Sequence, residues 1–258
     1  MRKYSEVTKE GRLTVITINR PEVMNALHPP ANIELSEAFD NFVSDPDQWV
    51  AIITGAGDKA FCAGNDLKYQ ASGGDMKGQP SSGFGGITSR FDNTKPIIAA
   101  VNGVAMGGGF EIALACDLIV AAENAVFSLP EPRVGLAALG GGIHRLPREI
   151  GIKKAMGMLL TGRRVSAQEG KDLGFVNEVS RKNSVLDTAK DWAGLILECA
   201  PLSVRASKEA AMLGMNASGI EDAIKSRYKQ VQLMQKSSDF VEGPRAFSEK
   251  RPPNWKGL

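Results

Sequence analysis

The stretch VNGVAMGGGFEIALACD, residues 101–117, decides the fold prediction. It begins with small and β-branched residues, as a buried strand does, and three consecutive glycines, Gly107, Gly108 and Gly109, then open a helix of small and apolar residues. Bare backbone N–H groups at such a helix start can face a ligand and bind negative charge. Glu111 lies in the first turn, close to these donors. The alternative is that the glycines only allow close packing and that Glu111 complements the helix dipole.

The same stretch excludes common nucleotide-binding motifs. Its glycines lack the GxGxxG spacing of dinucleotide-binding folds, and no GK[ST] follows them as in a P-loop. The chain has only two histidines and three widely spaced cysteines without a CxxC pair. Neither a disulfide framework, a zinc site nor a histidine-activated nucleophile is therefore expected. Carboxylates are left to carry any proton chemistry, and we expect no metal.

Strands and helices alternate on both sides of this stretch. Residues 13–20, 49–55 and 96–103 are rich in β-branched and apolar residues and are predicted as buried strands, whereas residues 31–45 carry apolar residues at helical spacing. Residues 117–129 are predicted as strands. This alternation indicates an α/β fold.

Further along, Ser166 and Glu169 form a predicted capping box, and Gly174 is a predicted helix stop. From about residue 183 onward the pattern is purely helical. We therefore predict an α/β core over residues 1–198 and a C-terminal helical region over residues 199–258. The Gly- and Ser-rich stretch 72–86 is predicted as a long loop of the kind that forms lids or binding loops.

The overall composition limits the possible partners. The 258 residues are 43% hydrophobic, and 31 basic against 29 acidic residues give a net charge of +2 without a basic cluster. A nucleic-acid partner is therefore not expected. No apolar run approaches the roughly 20 residues needed to span a bilayer, and the N-terminus lacks the apolar stretch of a signal peptide. We expect no membrane association and a cytoplasmic location.

Two further segments carry candidate functional residues. In AFCAGNDLK, residues 60–68, small residues lead into a polar turn where the N–H of Asn65 could be a second donor and Lys68 could attract a phosphate. In FSLPEPRVG, residues 127–135, two prolines flank Glu131, and Pro132 predicts an extended conformation that holds the carboxylate in place. Taken singly, each segment is better explained as a plain structural turn.

In this order, AFCAGNDLK, AAVNGVAMGGGFEIALACD, SLPEPRVGL, GGIHRLPREIG and LTGRRVSAQE resemble the crotonase, or enoyl-CoA hydratase, superfamily over nearly the whole chain. The closing EGPRAFSEKRPPNWKGL resembles its carnitinyl-CoA dehydratase branch. The resemblance implies a crotonase-like spiral of ββα units with a helical C-terminal trimerisation region. It also implies a homo-oligomer, a trimer or a hexamer.

The resemblance implies roles for individual residues as well. The N–H groups of Asn65 and Gly108 would form an oxyanion hole for the acyl-CoA thioester oxygen, and Glu111 and Glu131 would be the two catalytic acids of a hydratase. Ala63 and the residues from Asn65 to Lys68, including Asp66 and Leu67, match the turn that contacts CoA in this family. No separate cofactor is implied, because CoA enters as part of the substrate.

Within this family several activities stay open. Retention of both glutamates favours enoyl-CoA hydration or dehydration, with carnitinyl-CoA dehydration, enoyl-CoA isomerisation and a non-catalytic role such as RNA binding as alternatives. The sequence departs from the family pattern after Glu131, where Ala138 replaces a usual proline and Leu139 replaces a glycine or an acid. An apolar Leu139 predicts an apolar acyl wall, whereas a quaternary ammonium group would favour aromatic or acidic neighbours.

Overall fold

A computed structural model describes residues 2–258. Two sheets carry the fold. The strands in chain order are β1 (Ser5–Glu10), β2 (Leu13–Ile18), β3 (Val50–Gly55), β4 (Ala60–Cys62), β5 (Ile97–Val101), β6 (Val104–Met106), β7 (Leu118–Ala122), β8 (Val126–Ser128), β9 (Val165–Ser166) and β10 (Glu178–Ser180). The larger sheet has the order β1-β2-β3-β5-β7-β10 and the smaller one β4-β6-β8-β9. Only the outer pairs β1–β2 and β8–β9 are antiparallel.

Helices follow the strand pairs and complete the chain. They are α1 (Pro29–Ser44), α2 (Leu67–Ala71), α3 (Gly108–Ala115), α4 (Gly142–Ile150), α5 (Ile152–Leu159), α6 (Ala167–Leu173), α7 (Val185–Leu197), α8 (Pro201–Gly214), α9 (Ile220–Lys225), α10 (Lys229–Lys236) and α11 (Asp239–Ser248). Short 3-10 helices include Phe84–Gly86 and Glu131–Val134. The predicted α/β fold is confirmed.

Each pair β3–β4, β5–β6 and β7–β8 places its first strand in the larger sheet and its second strand in the smaller one. Helix α2 follows the first pair and α3 the second, so the ββ unit is repeated along a spiral. The predicted spiral of ββα units is thereby confirmed. Because β4 and β6 are neighbouring parallel strands, the turns that follow them lie side by side.

The core is apolar on both faces of the larger sheet. On one face, α1 and α3 pack with a ring cluster of Phe110, Phe127 and Phe175, whose centroids are 5.1 to 5.2 Å apart. On the other face, α7 packs against Ile52 and Ile98. Helix α3 is buried around most of its circumference, so the glycines at its N-terminus and Glu111 in its first turn are fixed by the core.

The C-terminal region is helical, as predicted, with α8 and α10 packed together. Several large apolar side chains of this region are exposed, among them Ile220 and Ile224 on α9 at 78% and 76% exposure. The domain boundary at residues 198/199 stays a prediction, and so does trimerisation. Within residues 2–258, no helix has the length and apolar character needed to cross a membrane.

Candidate active site

The N-terminus of α3 is shaped by its three glycines, each for a different reason. Gly107 has φ +54°, a backbone conformation that favours glycine, and its N–H donates to Ser128 O at 2.9 Å. Gly109 packs so closely on the Cys62 carbonyl that a Cβ atom would overlap it. Gly108 lies between them as the first helical residue, and no group within residues 2–258 accepts its N–H. Close packing and a free donor therefore coexist in this turn.

A second free donor lies in the neighbouring turn. The Gly64 Cα faces the start of α3, since a Cβ atom there would be 3.1 Å from Gly108 N. Leu27 holds this turn by donating its N–H to Gly64 O at 2.8 Å and accepting from Asp66 N at 2.9 Å. Between these two bonds, the N–H of Asn65 has no acceptor in the described part of the chain. The structure thus places both predicted oxyanion-hole residues in adjacent turns with unpaired N–H groups.

Glu111 is buried at 4% exposure and held by a turn before α4. Its Oε1 accepts from Gly142 N at 2.8 Å, and Gly140 lies so near that a Cβ atom would be 2.6 Å from Oε2. Burial raises the pKa of Glu111 to about 7, and the charge of Glu131 adds to this against the opposing hydrogen bonds and the charge of Arg145. Such a carboxyl is available in both protonation states near neutral pH.

The prediction that Pro132 forces Glu131 into an extended conformation is wrong. Glu131 begins the 3-10 helix, because Pro132 lies in its first turn, where a missing N–H costs nothing. Glu131 O accepts from Leu136 N at 2.9 Å and closes the turn. The backbone of Glu131 is therefore fixed in a helical turn, and the role of its carboxylate stays a prediction.

The carboxyl group of Glu131 lies against the start of α3. A Cβ atom on Gly107 would be 3.1 Å from Glu131 Oε1, a tight contact that the carboxyl could relieve only by a small shift. Oε2 is buried without a hydrogen-bond partner within residues 2–258, and burial raises the pKa of the group. An unpaired buried oxygen is costly unless a ligand supplies the partner. Glu131 is therefore equipped to exchange a hydrogen bond or a proton with a bound molecule.

The turn predicted to contact CoA has both inward and outward residues. Asp66 faces inward: it is 6% exposed, forms a 3.0 Å ion pair with Arg20 and accepts from Tyr69 N at 3.0 Å as the cap of α2. Leu67 and Lys68 are exposed. The Ala63 N–H is already paired with Met24 O at 3.0 Å. The Asp66 side chain is thus structural, and contact of CoA with this turn stays a prediction.

Phe84 and Gly142 belong to the site but were not identified from the sequence. The Phe84 ring covers Gly108, since a Cβ atom there would be 2.8 Å from both Cδ1 and Cζ. It lies in the predicted long loop, which is anchored where Gly85 N donates to Asn32 Oδ1 at 2.7 Å. A lone aromatic residue in a Gly-rich loop gave no periodic signal. Leu139, predicted to line the acyl group, adjoins the Glu111 turn but is 77% exposed.

Within residues 2–258, no group of three or more His, Cys, Asp or Glu side chains is arranged to hold a metal ion. The three cysteines are free thiols. Asp117 has a structural role, since it accepts from Ile97 N at 2.8 Å and from Lys208 Nζ at 2.7 Å. Carboxyl groups and backbone N–H groups are thus what the site offers.

Comparison with known proteins agrees with this geometry. Residues 8–258 match the enoyl-CoA hydratase/isomerase family. Carnitinyl-CoA dehydratases from Salmonella enteritidis and Citrobacter koseri are 41% and 43% identical, over 100% and 97% of both chains.

Solved structures show the same fold. An enoyl-CoA hydratase from Mycobacterium marinum has a TM-score of 0.91 and 39% identity, covering 99% of both chains. A carnitinyl-CoA hydratase from Mycobacterium avium has a TM-score of 0.79 and 40% identity, covering 100% of both chains. The predicted enzyme class, a hydratase or dehydratase acting as a carbon–oxygen lyase, is confirmed. The chain belongs to the enoyl-CoA hydratase/isomerase family.

Proposed function

We propose that the protein is an enoyl-CoA hydratase that adds water reversibly across the 2,3 double bond of a 2-enoyl-CoA to give a 3-hydroxyacyl-CoA. One observation carries the proposal: two carboxyls with raised pKa values, buried Glu111 and half-buried Glu131, flank a helix start whose Gly108 N–H has no acceptor within residues 2–258. This combination supplies both acid/base groups and a charge-binding donor in one place.

The unpaired N–H groups of Asn65 and Gly108 are proposed to bind the thioester oxygen. Negative charge develops on this oxygen as water adds at C3, and fixed donors stabilise that charge without reorganising. Loss of one such donor in comparable sites lowers the rate by about 10²- to 10³-fold. The two turns that carry the donors are held by backbone hydrogen bonds and close glycine packing, so the donors are preorganised.

The two carboxyls are proposed to divide the proton transfers. Glu111 orients water and takes its proton as the oxygen bonds to C3, and Glu131 delivers a proton to C2. The environments support a division of labour, because Glu111 accepts a hydrogen bond from Gly142 whereas Oε2 of Glu131 has no partner within residues 2–258. Burial raises the pKa of both carboxyls; the hydrogen bond from Gly142 opposes this for Glu111 and favours its ionised form, whereas the unpaired Oε2 favours protonated Glu131.

The reaction involves no net oxidation, so it requires neither a flavin nor a nicotinamide, and CoA is part of the substrate. Lys68 lies three residues after Asn65 and is exposed, so it is proposed to attract a CoA phosphate. Asn65 and Leu67 are proposed to contact CoA from the same turn.

Carnitinyl-CoA dehydration is a second candidate. It is favoured by the names of relatives that are 41% to 43% identical over nearly the whole chain. The structure adds an aromatic ring, Phe84, beside Gly108, and such a ring can face a quaternary ammonium group. The exposed apolar Leu139 favours a simpler acyl group instead.

The test is a panel of 2-enoyl-CoA substrates that includes crotonyl-CoA and crotonobetainyl-CoA, with formation of the 3-hydroxyacyl-CoA as the readout. Turnover of crotonyl-CoA supports hydration of a simple acyl group, and exclusive turnover of crotonobetainyl-CoA supports the second candidate. Conversion of a 3-enoyl-CoA to its 2-enoyl isomer without hydration would replace the proposal with isomerisation. No turnover together with an RNA gel shift would favour a binding role.

A further inference from the structure

Arg145 on α4 is the one strongly charged side chain that faces Glu111 from the GGIHRLPREIG motif, and the reaction scheme above gives it no role. Its guanidinium is partly buried. Nη2 donates to Thr88 O at 2.9 Å, and Nη1 donates to Gly140 O at a longer 3.4 Å. A Cβ atom on Gly141 would overlap Nη1, so the turn before α4 is wrapped closely around this side chain. Arg145 thus ties together two segments that are 52 residues apart in sequence, one at Thr88 and one at Gly140.

Both segments are walls of the proposed active site. Gly140 lies against Oε2 of Glu111, and Gly142, two residues on, donates to Oε1 of the same carboxyl. On the other side, Thr88 N donates to Phe84 O at 3.3 Å, and the Phe84 ring covers Gly108. A single guanidinium therefore fixes the turn that holds the acid and the loop that covers the proposed oxyanion donor.

The charge of Arg145 acts on the same carboxyl. Three titratable groups lie within its electrostatic reach: Glu149 on its own helix, Cys116 after α3, and Glu111. Burial raises the pKa of the Cys116 thiol, so it is neutral, and Glu149 is exposed to solvent, which screens its charge. Glu111 itself faces Glu131 and Arg145, of which only Arg145 favours its ionised form.

We propose that Arg145 is a positioning residue that holds the turn from Gly140 to Gly142 against Glu111 and supplies the positive charge facing that carboxyl. The proposal rests on the proposed role of Glu111 in hydration. It predicts a direction that does not depend on whether Glu111 acts as base or acid. Removing the positive charge favours the protonated carboxyl, so the limb of the pH–rate profile that reports Glu111 moves to higher pH in either case.

The test compares Arg145→Gln and Arg145→Lys with Arg148→Gln. Arg148 is a matched control, because it lies on the same helix, is exposed and donates only to His144 O at 2.7 Å among residues 2–258. The kcat and KM of hydration are measured across the pH range, with circular dichroism and thermal melting as folding controls. We expect Arg145→Gln to lower kcat about tenfold or more and to move the Glu111 limb up by about half a pH unit or more.

The lysine variant separates charge from geometry. Arg145→Lys keeps the charge but cannot donate to Thr88 O and Gly140 O as a planar fork, so kcat should fall while the pH limb stays near that of the wild type. If Arg145→Gln does not fold, this variant decides: a wild-type kcat in folded Arg145→Lys overturns the positioning role. If Arg145→Gln folds and shows the kcat and pH limb of Arg148→Gln, Arg145 is merely structural.

Failure of the underlying function is distinguishable. Glu111→Gln is assayed in the same series. If it retains near-normal turnover, the proposed role of Glu111 is wrong, whatever the arginine variants show. If Glu111→Gln is inactive while Arg145→Gln behaves like the control, only the inference about Arg145 fails.

Discussion

Gly108→Val tests the proposed oxyanion hole directly, because the role of Gly108 is carried by its backbone. A Cβ atom at this position would lie 2.8 Å from Cδ1 and Cζ of Phe84, whereas ordinary carbon contacts begin at 3.4 Å. Because Cε1 of the ring lies nearer still, the ring or the start of α3 must move by about 1 Å to restore an ordinary contact. The two further methyl groups of valine increase the overlap.

Two magnitudes decide what such a shift does. Displacement of catalytic groups by about 1 Å can cost about 10²-fold in rate, and loss of an oxyanion donor costs about 10²- to 10³-fold, which corresponds to about 2.7–4 kcal/mol. Overpacking costs about 1–3 kcal/mol of stability, which is less than the free energy of unfolding of a typical domain, about 5–15 kcal/mol. The variant should therefore fold and still lose at least about 10²-fold in kcat.

The assay is kcat per folded active site, with circular dichroism as the folding control. Gly157→Val on α5 is the matched control, since it is also a helical glycine but a Cβ atom there meets nothing within 4 Å. Phe84→Ala reports how much of the effect comes from the ring alone. A well-folded Gly108→Val enzyme with substantial hydratase activity would remove the oxyanion-hole assignment.

Three further outcomes are expected. Glu111→Gln and Glu131→Gln should each lower the hydration kcat by at least ~10²-fold with the fold intact, and near-normal turnover of either variant contradicts the role of that carboxyl. The raised pKa of Glu111, about 7 against 4.5 for an ordinary glutamate, contributes stability below about pH 4.5 that is lost as pH rises through 7. The Tm of Glu111→Gln minus the Tm of the wild type should therefore increase between about pH 5 and about pH 8. A difference that does not change with pH would count against a buried charge. Exposure of Ile220 and Ile224 predicts an oligomer, for which the family resemblance implies a trimer or hexamer, and a monodisperse monomer in light scattering contradicts it.

The sequence predicted the elements with strong periodicity and missed those without it. Residues 13–20, 49–55 and 96–103 contain β2, β3 and β5, because buried parallel strands are continuous apolar runs. Strand β1 was missed, since it is a largely exposed edge strand with polar residues. Strand β6 was missed because three residues between glycines show no period. Strand β1 is too exposed, and strand β6 too short, to give a recognisable apolar pattern.

Local capping chemistry was more predictable than conformation next to proline. Ser166 accepts from Glu169 N at 3.1 Å, and Gly174 ends α6 with φ +106°, as expected. In a complete capping box the Glu169 carboxylate would also accept from Ser166 N. The contact observed for this carboxylate is instead an ion pair with Arg163 at 2.7 Å. The residue before Pro132 was mispredicted because helix starts tolerate proline, and only tertiary packing decides between a strand and a first helical turn.

The triple glycine explains why the sequence could not choose between packing and catalysis. Gly109 is required by the Cys62 carbonyl, and Gly107 by its backbone conformation and by the carboxyl of Glu131. Of these three glycines, only Gly108 combines an N–H that has no acceptor within residues 2–258 with a cover of aromatic carbon. The packing interpretation is therefore correct for one glycine and the ligand-binding interpretation is proposed for its neighbour. Three identical letters cannot reveal such a division, because each role depends on a partner that is distant in sequence.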